Sequence, residues 1–93
     1  MSKISEKMNV LFIMTDQQRA DHMGCAGNPI LKTPNLDKLA SEGVRFTNAF
    51  CTSPYCMPNR ATLLTGLYPN VHGVRSNGMR LSEDIPTITK TLG

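Results

Sequence analysis

Asn9 opens an uninterrupted apolar run, Val10-Leu11-Phe12-Ile13-Met14, that breaks off at the polar cluster Thr15-Asp16-Gln17-Gln18. The run is short, partly β-branched and without the alternation of a half-exposed strand. That pattern fits a parallel strand covered on both faces. The polar cluster then stands at the carboxyl edge of the sheet, where open α/β folds place their ligands. The rest of the chain is compatible with such a sheet. Gly24 to Lys32 reads as a loop, punctuated by Gly24, Gly27, Asn28 and Pro29. Thr33-Pro34-Asn35 opens a helix, with Asn35 as the expected N-cap. Leu36, Leu39 and Ala40 fall at i, i+3 and i+4, and Gly43 is the stop. Val44, Phe46, Ala49 and Phe50 mark a second strand or extended segment. Residues 51–59 carry Pro54 and Pro58 and read as irregular. From Arg60 the pattern turns helical through Ala61, Leu63 and Leu64 to Gly66, with Pro58 suited to the first turn. Residues 68–79 read as loop, and a further helix is expected near Pro86. Strand, helix, strand, helix in this order predicts an α/β fold.

Composition excludes several classes. At 40% hydrophobic and 18% charged residues the chain is too apolar and too balanced to be disordered. No stretch approaches the ~20 apolar residues of a membrane span, so no membrane association is expected. With 93 residues it is one small domain at most, and a chain of that size buries only ~60–65% of its unfolded surface. A helix is in progress at Lys90-Thr91-Leu92-Gly93. The expectation is therefore an N-terminal piece of a longer protein, with residues 1–8 as a tail and 9–93 as an incomplete domain. The net charge of +3 comes from 10 Lys+Arg against 7 Asp+Glu. The basic residues are scattered and not interleaved with aromatics, which argues against a nucleic-acid partner. Cys25, Cys51 and Cys56 are odd in number, form no CxxC pair and meet no second pair that would complete a zinc site. The N-terminus lacks a signal-peptide core and cleavage site, so a cytoplasmic location is expected.

The chemistry concentrates in Cys56-Met57-Pro58-Asn59-Arg60-Ala61-Thr62-Leu63-Leu64-Thr65-Gly66. A cysteine at a helix N-terminus feels unpaired N–H groups and the positive end of the helix dipole. Arg60, one turn on, can reach back towards it. Such a site suits an anionic nucleophile and an oxyanion substrate such as sulfate or phosphate. On residue types alone a buried structural cysteine beside a helix cap explains the segment as well.

The core Cys56-x-Pro58-x-Arg60, followed by Leu63-Leu64-Thr65-Gly66, resembles the signature of the type I sulfatases, members of the alkaline-phosphatase-like superfamily. Other segments match in the same order. Asn9 to Asp16 is similar to that family's first strand and first metal-binding aspartate. Lys32 to Ala40, followed by Gly43-Val44-Arg45-Phe46, is similar to its first helix and second strand. Leu67-Tyr68-Pro69 and His72-Gly73-Val74 are similar to the segment after the signature helix. Two departures stand out. Met57 and Asn59 occupy positions where small residues are usual, and the first strand is followed by Asp16-Gln17 in place of paired aspartates. The latter resembles a bacterial branch that includes phosphonate monoester hydrolases as well as sulfatases.

The resemblance implies an α/β fold, an alkaline-phosphatase-like sandwich with a large mixed sheet between helices, of which only the N-terminal part is present here. It implies a sulfuric ester hydrolase in which a formylglycine-generating enzyme oxidises Cys56 to formylglycine. The aldehyde is hydrated, one hydroxyl attacks sulfur, the alcohol leaves, and the second hydroxyl expels sulfate. Asp16, Gln17 and residue 56 would hold a divalent metal ion, Ca²⁺ first and Mg²⁺ or Mn²⁺ next. Arg60 would orient the nucleophile and offset developing charge. Gln17, Asn77 and His72 would meet the substrate, a sulfate ester or a phosphonate or phosphate ester. Asn77 is equally explained by an Asn-Gly turn, and His72 by a structural role beside Gly73. Arg19 and Asp21 are expected to pair, Asp37 and Lys38 to lie on a solvated helix face, and Cys25, Cys51, Met14, Met23 and Met79 to be structural. The remaining ligands and catalytic groups of the family come later than Gly93, so this piece alone is expected to be inactive and to fold poorly, with an unpaired sheet edge. The alternatives are a phosphonate monoester or phosphodiester hydrolase of the same superfamily, and a non-catalytic anion-binding module.

Overall fold

A computed structural model describes residues 7–93. The first six residues of the expected 1–8 tail lie outside the described residues. Among the described residues there are four α-helices: α1 Pro34–Glu42, α2 Cys56–Thr65, α3 Pro69–His72 and α4 Ile88–Leu92. A 3₁₀ turn at Gly24–Ala26 precedes them. The chain divides into two compact units, one up to Arg45 and one from Phe46.

Neither expected strand forms among the described residues. Residues 9–14 and 44–50 are exposed, Val10 at 86% and Phe50 at 90%. The physical reason is that a strand's N–H and C=O groups pair with a neighbouring strand, not within the segment. The described residues offer these two segments no such neighbour. The sheet of the expected α/β architecture is therefore not seen in this segment, and what forms is its helical part.

In the first unit, α1 starts two residues earlier than the expected cap at Asn35 implies. Thr33 is its N-cap and Pro34 its first residue, a position where a missing N–H costs nothing. The Thr33 hydroxyl does not cap its own helix. It accepts from Gly24 N–H at 2.8 Å and donates to Asp37 Oδ1 at 2.9 Å. Asp37 Oδ1 also accepts from Cys25 N–H at 2.7 Å. Asp37 is thus no solvated helix residue, as the sequence led us to expect, but the clamp that holds the 3₁₀ turn against α1.

Two outcomes follow from this clamp. A Cβ at Gly24 would stand 2.5 Å from Asp37 Oδ2 and 3.0 Å from Oδ1. Gly24→Ala in the full-length protein is therefore expected to lower stability by about 1–3 kcal/mol, read from thermal unfolding. Partial burial opposes ionisation of Asp37, but hydrogen bonds from the Cys25 N–H, the Thr33 hydroxyl and the Cys25 thiol outweigh it, and the carboxyl lies below its ordinary value. The folded state thus binds this proton less readily than the unfolded state. Its contribution is complete above the unfolded value near ~3.9 and fades as pH falls through the lower native value. Asp37→Asn is expected to flatten the acid limb of stability against pH below about 4, in acid titrations of both proteins.

The segment between Gln17 and Leu31 is stitched by polar side chains. Gln18 Nε2 donates to His22 O at 3.0 Å, and Asn28 Nδ2 to Asp21 O at 3.0 Å. Asn28 Oδ1 accepts from the N–H groups of Ile30 and Leu31. Arg19 and Asp21 form the expected pair, bidentate at 2.9 and 2.7 Å. The hydrogen bonds from the guanidinium pull the Asp21 carboxyl down to about 2.

In the second unit, α2 runs from Cys56, four residues before the helical pattern was expected to begin. Pro58 is the third helical residue, still within the first turn, so its missing N–H breaks no intrahelical bond. That is why a proline-bearing segment read as irregular is helical here. Gly66 ends α2 at φ 71°, a left-handed conformation that returns its N–H to Thr62 O. Within the expected 68–79 loop, Pro69–His72 form the short α3, closed by Gly73 at φ 83°. Thr87 caps α4 by accepting from Lys90 N–H. Leu63, Leu64, Pro86, Ile88 and Leu92 line an open apolar groove between α2 and α4.

Candidate functional site

Helix α2 has two faces. Pro58 and Ala61 are buried, Thr62 and Thr65 half-buried, and the four lie together on one side at 3.6 residues per turn. Cys56, Arg60 and Leu63 lie on the opposite side, and all three are exposed. Cys56 is the first helical residue and its thiol is free. The sequence therefore places a potential nucleophile and a guanidinium one turn apart on the open side of a helix N-terminus. The burial of Pro58 and Ala61 fixes which side that is. A structural, buried Cys56 is excluded by its exposure. Cys51 is also exposed and free, and Cys25 is half-buried.

Asn77 comes to this helix end from 20 residues away. Its Oδ1 accepts from Met57 N–H at 3.0 Å, satisfying one of the donors left over at the helix N-terminus. The N–H of Gly78 meets the Met57 sulfur at 2.9 Å. Asn77 is thus brought directly beside Cys56, as a tertiary cap. The long side chain at Met57, where small residues are usual, closes the clasp from the other side.

His72 is placed differently. Its ring is buried, at 3% exposure. Nδ1 accepts from Val74 N–H at 3.1 Å, and Nε2 lies 3.1 Å from Thr62 Oγ1, on the buried face of α2. Thr62 Oγ1 also accepts from the Thr52 hydroxyl at 3.0 Å. Both ring nitrogens are occupied within the protein, which is the structural arrangement that the sequence left open for this residue and not an open substrate contact. Thr62 and Thr52 are absent from the sequence-based site. The available signal was a threonine on the side of α2 shared with Pro58 and Ala61, where a hydroxyl needs a partner.

Asp16 and Gln17 belong to the first unit and follow the exposed apolar segment. Gln17 has φ 54°, the one non-glycine residue in the left-handed region among the described residues. Such a conformation costs a bulky residue about 1–2 kcal/mol and turns the chain sharply just after Asp16. Both side chains offer hard oxygen donors, the kind that Ca²⁺ and Mg²⁺ take. Among the described residues no group of three or more His, Cys, Asp or Glu is gathered as a metal cluster. No helix among them is long and apolar enough to cross a membrane.

Comparison with known proteins gives this segment a family. The sulfatase family profile matches residues 8–93. An ulvan-active sulfatase of Formosa agariphila is 49% identical over 78 residues, 84% of this chain and 15% of the relative. An arylsulfatase of Clostridium perfringens is 46% identical over 67 residues, covering 72% and 14%. Human arylsulfatase D is 47% identical over 75 residues, covering 80% and 13%. The chain belongs to the sulfatase family. It spans 13–15% of the length of these three relatives. No solved structure gives a significant match.

Proposed function

We propose that the full-length polypeptide carrying this segment is a sulfuric ester hydrolase with a formylglycine nucleophile made from Cys56 by a formylglycine-generating enzyme. The observation that carries this reading is the exposed side of α2, with Cys56 at its first position and Arg60 one turn on. Family membership adds the sulfate ester as substrate class and the alkaline-phosphatase-like sandwich as the fold that the rest of the chain completes.

Each group then has a task. The N-terminal turn of α2 points its unpaired N–H groups and its dipole at the anionic ester. Arg60 offsets the charge that builds up on the transferred group. Asn77 holds the first turn of α2 in place through Met57 N–H. In this reading its amide is also the group that meets the substrate. Formylglycine, as its hydrate, supplies an attacking hydroxyl and a second hydroxyl that expels the bound group. A hard divalent cation, Ca²⁺ first, fits the oxygen donors of Asp16 and Gln17. When bound it lowers the pKa of a hydroxyl it touches. The two residues are only part of a ligand set, and later residues of the full chain complete it. We place the protein in the cytoplasm.

The pair Asp16-Gln17 supports a second reading. It leaves the site one negative charge short of a paired-aspartate site, and sulfate esters, phosphonate monoesters and phosphodiesters are all monoanions that such a site can take. A phosphonate monoester or phosphodiester hydrolase of the same superfamily is therefore the alternative. Relative rates on aryl sulfate and aryl phosphonate separate the two.

The first test is mass spectrometry of the tryptic peptide bearing Cys56, from a host with the modifying enzyme. Replacing the thiol by an aldehyde lowers the mass by about 18 Da, a product off the ordinary thiol oxidation ladder. We expect that product. Thiol alone would remove the covalent mechanism and leave an anion-binding module.

A further inference from the structure

His72, buried beneath α2, is joined to it through Thr62, and the chain of hydrogen bonds has only one consistent set of protons. Val74 N–H donates to Nδ1, so Nδ1 carries no hydrogen. In the neutral ring the proton is then on Nε2, and Nε2–H donates to Thr62 Oγ1. Thr62 Oγ1 accepts a second bond, from Thr52, which lies four residues before Cys56. One hydroxyl on the buried side of α2 therefore ties together the strap that leads into the helix and the turn that follows α3. Pro58 and Ala61 on the same face bury that side of α2, and Asn77 holds its first turn at Met57 N–H, but neither contact sets the rotation as finely as a directed bond at mid-helix. Without that bond α2 can turn through a small angle about its axis, and Cys56 and Arg60 on the far side would turn with it.

We propose that His72 is a positioning residue for the nucleophile helix, acting through Thr62 as a neutral Nε2–H donor that fixes the rotation of α2 and hence the direction in which residue 56 and Arg60 face. His72 touches no substrate in this arrangement. The inference rests on the hydrolase reading of residue 56 and adds a residue to its machinery. It concerns the efficiency of the chemical step, because a displacement of about 1 Å at a reacting group costs up to ~100-fold in rate.

The test uses the full-length protein produced with the modifying enzyme, with rates expressed per converted Cys56. Thr62→Val removes the acceptor at constant shape. His72→Asn keeps an acceptor for Val74 N–H but does not reach Thr62. His72→Gln keeps an N–H donor near the Nε2 position. Thr62→Val and His72→Asn are each expected to lower kcat on 4-nitrophenyl sulfate about tenfold, with KM changed less than about threefold. Their double variant is expected to be no worse than either single one, because both break the same bond. His72→Gln is expected to recover most of the rate. A raised KM at unchanged kcat would show direct substrate contact and overturn the proposal. So would a lowered Tm with kcat unchanged, the mark of a staple without influence on the site. A converted wild-type protein that hydrolyses neither aryl sulfate nor aryl phosphonate refutes the hydrolase reading alone. In that case Thr62–His72 coupling is read from Tm across the same cycle, and its absence overturns the inference.

Discussion

Cys56→Ala in the full-length protein is expected to reduce sulfate ester hydrolysis by at least ~10³-fold while leaving the fold intact. The size follows from the role proposed for it: as the precursor of the nucleophile, the side chain has no replacement among the other exposed groups on α2. Leu63 and Leu64 carry no chemistry, and the Arg60 guanidinium is a donor and no nucleophile. The fold is expected to survive because Cys56 is exposed and gives up no buried contact on truncation. Alanine is also a good residue for the first turn of a helix. Measured turnover on aryl sulfate, together with an unchanged Tm, checks both halves. Residual activity within tenfold of wild type would mean that residue 56 is not the nucleophile. Arg60→Ala needs more care, because the proposal makes the guanidinium part of the Cys56-x-Pro58-x-Arg60 core that the modifying enzyme reads as well. A loss there is interpretable only per mole of aldehyde.

What the sequence disclosed and what it concealed divide along the distance over which each feature is decided. Gly43 and Gly66 end their helices as expected, because a helix stop depends on a few adjacent residues. The Cys56–Arg60 spacing is legible for the same reason: four residues on a helix are one turn. Arg19 and Asp21 are two residues apart, and their pairing is also local. Residues 9–14 and 44–50 were read as strands from composition, but strand pairing is settled by a partner elsewhere in the chain, and the described residues provide none. Thr33 and not Asn35 is the N-cap because Pro34 takes the first helical position, and the Thr33 hydroxyl is engaged instead by Gly24, nine residues earlier. The same turn took Asp37 from the solvent. His72 illustrates the limit best. Its residue type and its neighbour Gly73 fit a ligand, a catalytic acid or a packed ring equally, and only the packing of α3 against α2 decides for the buried ring. At Asn77 the Asn-Gly turn and the contact with the helix N-terminus coexist, since the turn is made by the backbone and the contact by the side chain.

The isolated 93-residue chain is expected to show no cooperative thermal transition. Among the described residues the buried apolar side chains are Ala61 and Val74, with Pro58 beside them. Fixing each residue's backbone costs about 1–2 kcal/mol, while a fully buried aliphatic side chain returns about 1.5–3 kcal/mol. So small a core cannot order a chain of this length. The helices do not make up the difference. The longest, α1 and α2, have 9 and 10 residues, short of the ~12–15 at which isolated helices become marginally stable in water. Meanwhile Val10, Leu11, Phe12 and Ile13 stay exposed in sequence, and Val44, Phe46 and Phe50 likewise. Such apolar segments are prone to pair with other chains, so the isolated piece is also expected to associate as its concentration rises. Far-ultraviolet circular dichroism during heating, with binding of a hydrophobic dye, provides the check. A shallow, non-sigmoidal melt with strong dye binding is the expected result. A sigmoidal transition in a monomer with weak dye binding would show that the segment folds by itself, and that residues 9–14 find cover within it.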